Sequence, residues 1–163
     1  MTQKIIENIG ITEDRLRRSL SIARKTYKIA TYMKYGEEFA RKMFLIGLIH
    51  DIGYEFTQDS DRYPEESSTM LASICGGYLS PLSRDSINAI KECRKYPTKY
   101  TPENVILNMA DMQVDKYGKE VSVTQQLESI KAEFGEHSNE YLTACDICFI
   151  IGLTAINYGQ TTL

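Results

Sequence analysis

The sequence predicts an all-α protein, a single-domain bundle of about six to seven helices that spans residues 1–163. Apolar residues recur at helical spacing along most of the chain, and the alternating pattern of β-strands is missing. Capping residues precede several of these apolar segments, and proline occupies the predicted first turn of two of them. A chain of 163 residues is long enough for one domain with one core.

The first two helices are predicted from their start and stop signals. A helix is expected over residues 12–34, because Thr12 can cap it and two acidic residues follow in the first turn, where the helix dipole favours negative charge. Gly36 interrupts the helical pattern. A second helix is expected over residues 37–50, and Gly53 ends it.

The next part of the chain is predicted to hold a loop and two helices. Residues 54–63 have no regular period and are expected to form a loop. Pro64 favours a first-turn position, so a third helix is expected over residues 64 to about 76. Ser83 can cap a fourth helix over residues 83 to about 94.

Three further helices complete the prediction. A threonine cap followed by Pro102 predicts a fifth helix over residues 101 to about 116. A Ser-x-x-Gln capping box at residues 122–125 begins a sixth helix, which Gly135 ends. A seventh helix is expected over residues 138 to about 151. Short connections favour packing between helices that follow each other in the chain.

The charge of the chain gives no electrostatic case for nucleic acid as a partner. The net charge is −3, whereas phosphate binding needs a concentrated basic face. A group of basic residues near the start is interpreted as a solvated helix face. Its members are Arg15, Arg17, Arg18, Arg24, Lys25 and Lys28.

Location is predicted from the apolar segments and the cysteines. The longest apolar run, residues 43–49, is too short to span a bilayer, so no membrane partner is expected. The first ten residues are polar and do not resemble a secretory signal. Four cysteines without such a signal are expected to be reduced thiols of a cytoplasmic protein. They are Cys75, Cys93, Cys145 and Cys148.

The stretch "FLIGLIHDIGYEF" ends an apolar run in His50 and Asp51. An aspartate buried beside Ile49 and Ile52 needs a compensating partner, which can be a cation, an arginine or backbone amides. An imidazole nitrogen together with a carboxylate oxygen suits a divalent cation. The simpler alternative is that Asp51 caps a turn and His50 packs in the core.

Asp111 is a second carboxylate in an apolar segment, "NVILNMADMQV". Apolar residues occur on nearly every side of this helix, so it is expected to be mostly buried. Its carboxylate therefore also needs a positive partner. Two such carboxylates and a histidine together predict a shared cation site.

The segments "LIHDIGYEF" and "LNMADMQV" resemble the HD superfamily, an all-α group of metal-dependent phosphohydrolases. The resemblance extends from about residue 15 to residue 115. It implies that His50, Asp51 and Asp111 are ligands of a divalent metal ion of unknown identity. The implied activity is the metal-assisted hydrolysis of a phosphate ester such as a nucleotide.

The chain departs from the family pattern at several positions. In "RRSLSIARKTYKIA", Arg18 stands where the first helix of the family usually has a histidine. Tyr63, Cys93 and Arg94 stand where further histidines often occur, and Tyr54 where lysine is frequent. The two-metal form of the site is therefore expected to be absent, and a one-metal form would keep three of four ligands.

Arg18 is the most informative of these departures. A guanidinium has no free lone pair and stays protonated, so it cannot bind a metal ion. On a helical wheel Arg18 lies at the edge of the apolar arc, from which it can reach inward and pair with Asp51 or Asp111. The alternative is that Arg18 extends outward and water fills the space.

Two hypotheses for function follow. In the first, the protein is a phosphohydrolase of a small phosphorylated molecule, with Asp51 and Arg18 as catalytic residues and Arg18 orienting the phosphate. In the second, Arg18 replaces the metal, and the protein is a non-catalytic binding or regulatory domain that can act by self-association. Arg94 is a candidate for phosphate contact in the first and an exposed helix residue otherwise.

Overall fold

The computed structural model describes residues 12–51, 53, 67, 69, 84–96 and 98–157. Within these ranges the chain forms six α-helices and no strand, which confirms the predicted all-α bundle of about six helices. The helices are α1 (Glu13–Tyr32), α2 (Glu37–Ile49), α3 (Arg84–Lys91), α4 (Pro102–Asp111), α5 (Val123–Phe134) and α6 (Asn139–Asn157). No helix in the described part combines the length and apolarity that a bilayer crossing requires.

The predicted third helix falls largely outside the described residues. Of residues 64–76, only Ser67 and Thr69 are described, and both are helical. The positions of Tyr54 and Tyr63, which bear on the family resemblance, also lie outside the described residues.

The two helices that flank the 92–101 connection end earlier than the sequence predicts. α3 ends at Lys91, and Arg94 then adopts a positive φ of 60°, which a helix does not allow. α4 ends at Asp111 instead of about residue 116, because the amide of Val114 bonds back three residues to the carbonyl of Asp111. Val114 then pairs in an isolated bridge with Glu120.

Helix α4 is the central element of the described fold. It packs against α1, α2, α3 and α6, and eight of its ten residues are buried. Thr101 caps it by accepting a hydrogen bond from the Asn104 amide at 3.2 Å, and Pro102 occupies its first turn as predicted. Because Asp111 is the last residue of this buried helix, its carboxylate lies in the interior of the protein.

Helices α1 and α2 approach each other closely at Gly47. A Cβ atom there would lie 2.8 Å from Thr26 Oγ1 and 2.9 Å from the Cα of Ala23. The same Thr26 hydroxyl donates to the carbonyl of Met43 at 2.8 Å, which joins the two helices through a polar contact. Since a short turn connects these helices, the start of α1 lies beside the end of α2.

The turn after α4 packs against the start of α1. Gly118 has a φ of +81°, and a Cβ there would lie 3.0 Å from the carbonyl carbon and oxygen of Arg17 and 3.1 Å from the amide nitrogen of Arg18. The turn is therefore in direct contact with the backbone of α1 at Arg17 and Arg18.

Candidate functional site

Four charged or polar residues that the sequence singles out come together in the interior. Arg18 lies in the second turn of α1, His50 caps the end of α2, Asp51 follows it, and Asp111 ends α4. Their exposed fractions are 8%, 1%, 3% and 1% in that order. These four residues, with Arg94 described below, are called the buried charged cluster.

Arg18 points inward and joins the two carboxylates. Its Nη1 pairs with Oδ2 of Asp51, and its Nη2 pairs with Oδ1 of Asp111. The same Nη1 lies 3.5 Å from Nε2 of His50. The guanidinium therefore meets all three side chains that the family resemblance assigns to a metal ion. The alternative in which Arg18 extends outward into the solvent is therefore wrong.

Arg94 is the second cation of the cluster. Its Nε lies 2.5 Å from Oδ2 of Asp111, and its Nη2 lies 3.0 Å from Oδ1, so the contact is bidentate. The Arg94 amide donates to Oδ1 of Asn108 at 3.1 Å, which fixes the left-handed backbone turn. Because 40% of its side chain is exposed, Arg94 lies between the cluster and the solvent.

The pairing of Arg94 with Asp111 is not predicted from the sequence. Two features of the sequence could have suggested this pairing: Asp111 needs positive charge, and an arginine lies in the connection that leads to α4. These features do not distinguish Arg94 from the neighbouring lysines, since the left-handed turn decides which side chain reaches inward.

His50 has a defined tautomer. Its Nδ1 lies 2.7 Å from the carbonyl oxygen of Gly47, which can only accept, so Nδ1 carries the proton. Burial lowers the pKa of His50, contact with Asp111 raises it in part, and the charge of Arg18 lowers it further. The imidazole is therefore neutral at pH 7, and its Nε2 presents a lone pair to the cluster.

Asp51 has one oxygen that accepts no hydrogen bond from the described residues. This oxygen, Oδ1, lies 3.1 Å from Nε2 of His50, which agrees with the absence of a proton on that nitrogen. The other oxygen, Oδ2, is the one that pairs with Arg18. Asp51 Oδ1 is therefore an unsatisfied acceptor, whereas His50 Nε2 is within 3.5 Å of the Arg18 guanidinium.

Asp111 stays ionised although it is buried. Burial by itself raises the pKa of this carboxyl, but the charges of Arg94 and Arg18 and the hydrogen bonds it accepts outweigh that effect and hold its pKa well below 3.8. Both guanidiniums therefore stabilise the charged form of Asp111.

The buried charged cluster is electrically balanced by its own side chains. Asp51 and Asp111 contribute two negative charges, Arg18 and Arg94 contribute two positive charges, and neutral His50 contributes none. Nitrogen and carboxylate donors suit a divalent cation chemically, but the Arg18 guanidinium already contacts all of them. A divalent cation does not fit this arrangement unless Arg18 moves away.

Comparison with known proteins does not assign this chain to a family. No family model, curated protein or solved structure matches this chain. Among the described residues, no group of three or more histidine, cysteine, aspartate and glutamate side chains has the arrangement of a metal site. The assignment of His50, Asp51 and Asp111 as metal ligands therefore stays a prediction from the sequence.

The described cysteines and the second histidine lie outside this charge network, and Cys75 lies outside the described residues. Cys93 is buried beside the cluster, and burial raises the pKa of its thiol to about 12, so it stays protonated. Cys145 and Cys148 are free thiols on α6. His137 is exposed in the turn before α6.

Proposed function

We propose that this protein is a non-catalytic HD-like domain, a binding or regulatory module in which Arg18 takes the place of a metal ion. The observation that carries this proposal is the position of the Arg18 guanidinium, buried in contact with Asp51, Asp111 and His50. These are the three side chains that the family resemblance assigns to the ion.

The charge balance supports the same conclusion. A unit charge about 4 Å from another costs or gains about 4 kcal/mol at an effective dielectric constant of 20, so the Arg18 guanidinium repels a divalent ion beside it by about 8 kcal/mol. The carboxylates attract such an ion, but their charge is already matched by Arg18 and Arg94. In the proposed domain Arg18 therefore opposes metal binding and takes over part of the charge of the ion.

One observation favours the second candidate, a metal-dependent phosphohydrolase. Asp51 Oδ1 accepts no hydrogen bond from the described residues and lies 3.1 Å from His50 Nε2, whose one described donor is Arg18 at 3.5 Å, and a cation would satisfy both atoms. If Arg18 swings outward, these atoms and Asp111 would hold a divalent ion. When bound, such an ion supplies Lewis-acid chemistry at a phosphate ester, and Arg18 would orient the phosphate.

Metal content distinguishes the two candidates. The natural protein is purified without chelators, its metal content is measured by inductively coupled plasma mass spectrometry, and it is assayed with 4-nitrophenyl phosphate and bis(4-nitrophenyl) phosphate in the presence of Mg²⁺, Mn²⁺ or Co²⁺. For a non-catalytic domain, we expect far less than one metal ion per chain and no turnover above buffer.

The Arg18→His variant tests the role of Arg18 directly. This substitution removes one positive charge and adds a nitrogen donor, so we expect Mn²⁺ to bind at least about tenfold more tightly than to the natural protein. The matched control is Arg17→His, since Arg17 is an exposed neighbour in the same helix. One bound metal ion per natural chain together with phosphatase activity would contradict the proposed function.

A further inference from the structure

A second feature of the molecule lies on the outer face of α1 and α2, away from the buried charged cluster. It is a cleft of about 430 Å³, and the described residues that line it are Arg24, Tyr27, Lys28, Arg41 and Phe44. These residues, called the α1–α2 cleft below, follow helical spacings of three and four, so each helix contributes one face. The volume lies within the range of small-molecule sites.

The cleft and the cluster are separated by helix α1. Tyr27 follows Arg18 by nine positions, which is a rotation of about 180° around the helix axis. Arg18 is 8% exposed and faces the interior, whereas Arg24 and Lys28 are exposed. A ligand in the α1–α2 cleft therefore does not need access to the cluster.

The cleft carries positive charge on a protein whose net charge is −3. Arg24, Lys28 and Arg41 line the cleft with their apolar atoms, so their three positive charges lie around it and not on its apolar surface. Glu37 cancels one of them, because it accepts from Arg41 Nε at 2.7 Å and from the Tyr27 hydroxyl at 2.8 Å. The described residues therefore leave about two positive charges around the cleft.

The cations differ in how strongly the protein already engages them. The side chain of Arg24 forms no ion pair or hydrogen bond with any other residue in the described part of the chain. Lys28 is 71% exposed, and its only described carboxylate contact is with Glu120 at 3.9 Å, which Lys25 holds more closely at 3.0 Å. Arg24 and Lys28 are therefore the charges that a ligand can use.

Two aromatic residues line the cleft. Tyr27 and Phe44 are half-buried, and the surface that the cleft exposes is apolar. Aromatic faces of this kind bind a second planar ring by offset stacking or edge contact. A ligand that matches the cleft therefore combines a planar apolar group with concentrated negative charge.

From these features we infer that the α1–α2 cleft is a binding site for a phosphate monoester that carries an aromatic ring. A phosphate monoester has a charge of about −1.5 to −2 at pH 7, which complements the charge of the cleft. Its oxygens match the planar fork of Arg24 and the ammonium group of Lys28. The aromatic ring of the ligand then lies against Tyr27 and Phe44.

Phenyl phosphate is the simplest probe of this site. The full ¹⁵N-labelled chain is titrated with phenyl phosphate, inorganic phosphate or benzyl alcohol at low ionic strength, with EDTA present so that metal chemistry at the cluster does not contribute. We expect saturable amide shifts at Arg24, Tyr27, Lys28 and Phe44. We also expect phenyl phosphate to bind at least about tenfold more tightly than either of the other compounds.

Variants separate the two halves of the site. Arg24→Gln combined with Lys28→Gln should weaken phenyl phosphate binding about tenfold, since it removes two exposed charge contacts. Phe44→Leu keeps an apolar side chain, so the fold is retained, and it should weaken phenyl phosphate without changing the affinity for inorganic phosphate. Lys99→Gln is the matched control, because Lys99 is an exposed lysine that does not line the cleft.

Three results would overturn this inference. The first is equal affinity for phenyl phosphate and inorganic phosphate, the second is amide shifts confined to other parts of the chain, and the third is unchanged binding in the Arg24 and Lys28 double variant. None of these results depends on whether the buried charged cluster holds a metal ion, so the cleft and the proposed function are tested separately.

Discussion

Replacing Arg18 with methionine removes the guanidinium that two buried carboxylates share and keeps an unbranched side chain. Asp111 retains its bidentate contact with Arg94, but Asp51, which is 3% exposed, keeps no guanidinium among the described residues. Removing one partner of a buried ion pair costs about 3–5 kcal/mol, because the remaining charge loses its compensation. We expect the free energy of unfolding to fall by that amount at pH 7.

Urea denaturation followed by far-UV circular dichroism measures this loss. With a slope of about 2 kcal/mol per molar urea, a loss of about 4 kcal/mol moves the midpoint down by about 2 M. The matched control is Arg17→Met, because Arg17 is 57% exposed and pairs with Glu13 on the surface. We expect the control to change stability by less than about 1 kcal/mol.

A second substitution shows whether the charge of Asp51 causes the loss. In the Arg18→Met background, Asp51→Asn removes the uncompensated charge, so we expect it to restore at least about 2 kcal/mol of stability, although alone in the natural protein it is destabilising. If Arg18→Met costs less than about 1 kcal/mol at pH 7, the carboxylates do not depend on Arg18, and the electrostatic account of the cluster is wrong.

Two further predictions concern Asp111 and the asparagines of α4. The folded-state pKa of Asp111 is lowered below 3.8, so its contribution to stability is fully present above that value and is lost as the pH falls toward the folded pKa. Urea unfolding between about pH 5 and pH 2 should therefore show a steeper loss than in Asp111→Asn, and equal slopes would contradict this assignment. Asn108→Ala should cost about 1–3 kcal/mol in thermal unfolding, because its side chain bonds the amide of Arg94 and the carbonyl of Asn104. Asn104→Ala should cost about 1 kcal/mol or less, because the buried Nδ2 of Asn104 has no hydrogen-bond partner among the described residues. A larger loss for Asn104→Ala than for Asn108→Ala would refute this reasoning.

The helical elements could be predicted well because their signals are local. The capping box at Ser122 forms with Gln125, and Gly135 ends α5 with a positive φ of 94°, both as the sequence indicates. The end of α4 is different, since the residues after Asp111 are compatible with a longer helix. The amide of Val114 bonds to the carbonyl of Asp111, and a bridge between Val114 and Glu120 reverses the chain; helix propensity encodes neither of these turn contacts.

The candidate site could be predicted in part, and the reason is electrostatic. Asp51 and Asp111 in apolar segments require positive charge, and Arg18 at the edge of an apolar helix face can supply it, so their convergence follows from the sequence. The contribution of Arg94 depends on a left-handed backbone, and the tautomer of His50 depends on the Gly47 carbonyl. Neither of these has a signature in residue order.

The packing of Gly118 against α1 relates the ion pair between Arg18 and Asp111 to the assembly of the bundle. Arg18 and Asp111 are 93 positions apart in the chain. Residues 111–118 nevertheless contain Asp111 at one end and, at the other, Gly118, which packs against the backbone of α1 at Arg18. In the native state the ion pair therefore coexists with the packing of this segment on α1. Because the pair joins positions that are far apart in the chain, its formation carries a loop-closure cost, and the intact pair reports on assembly of the bundle.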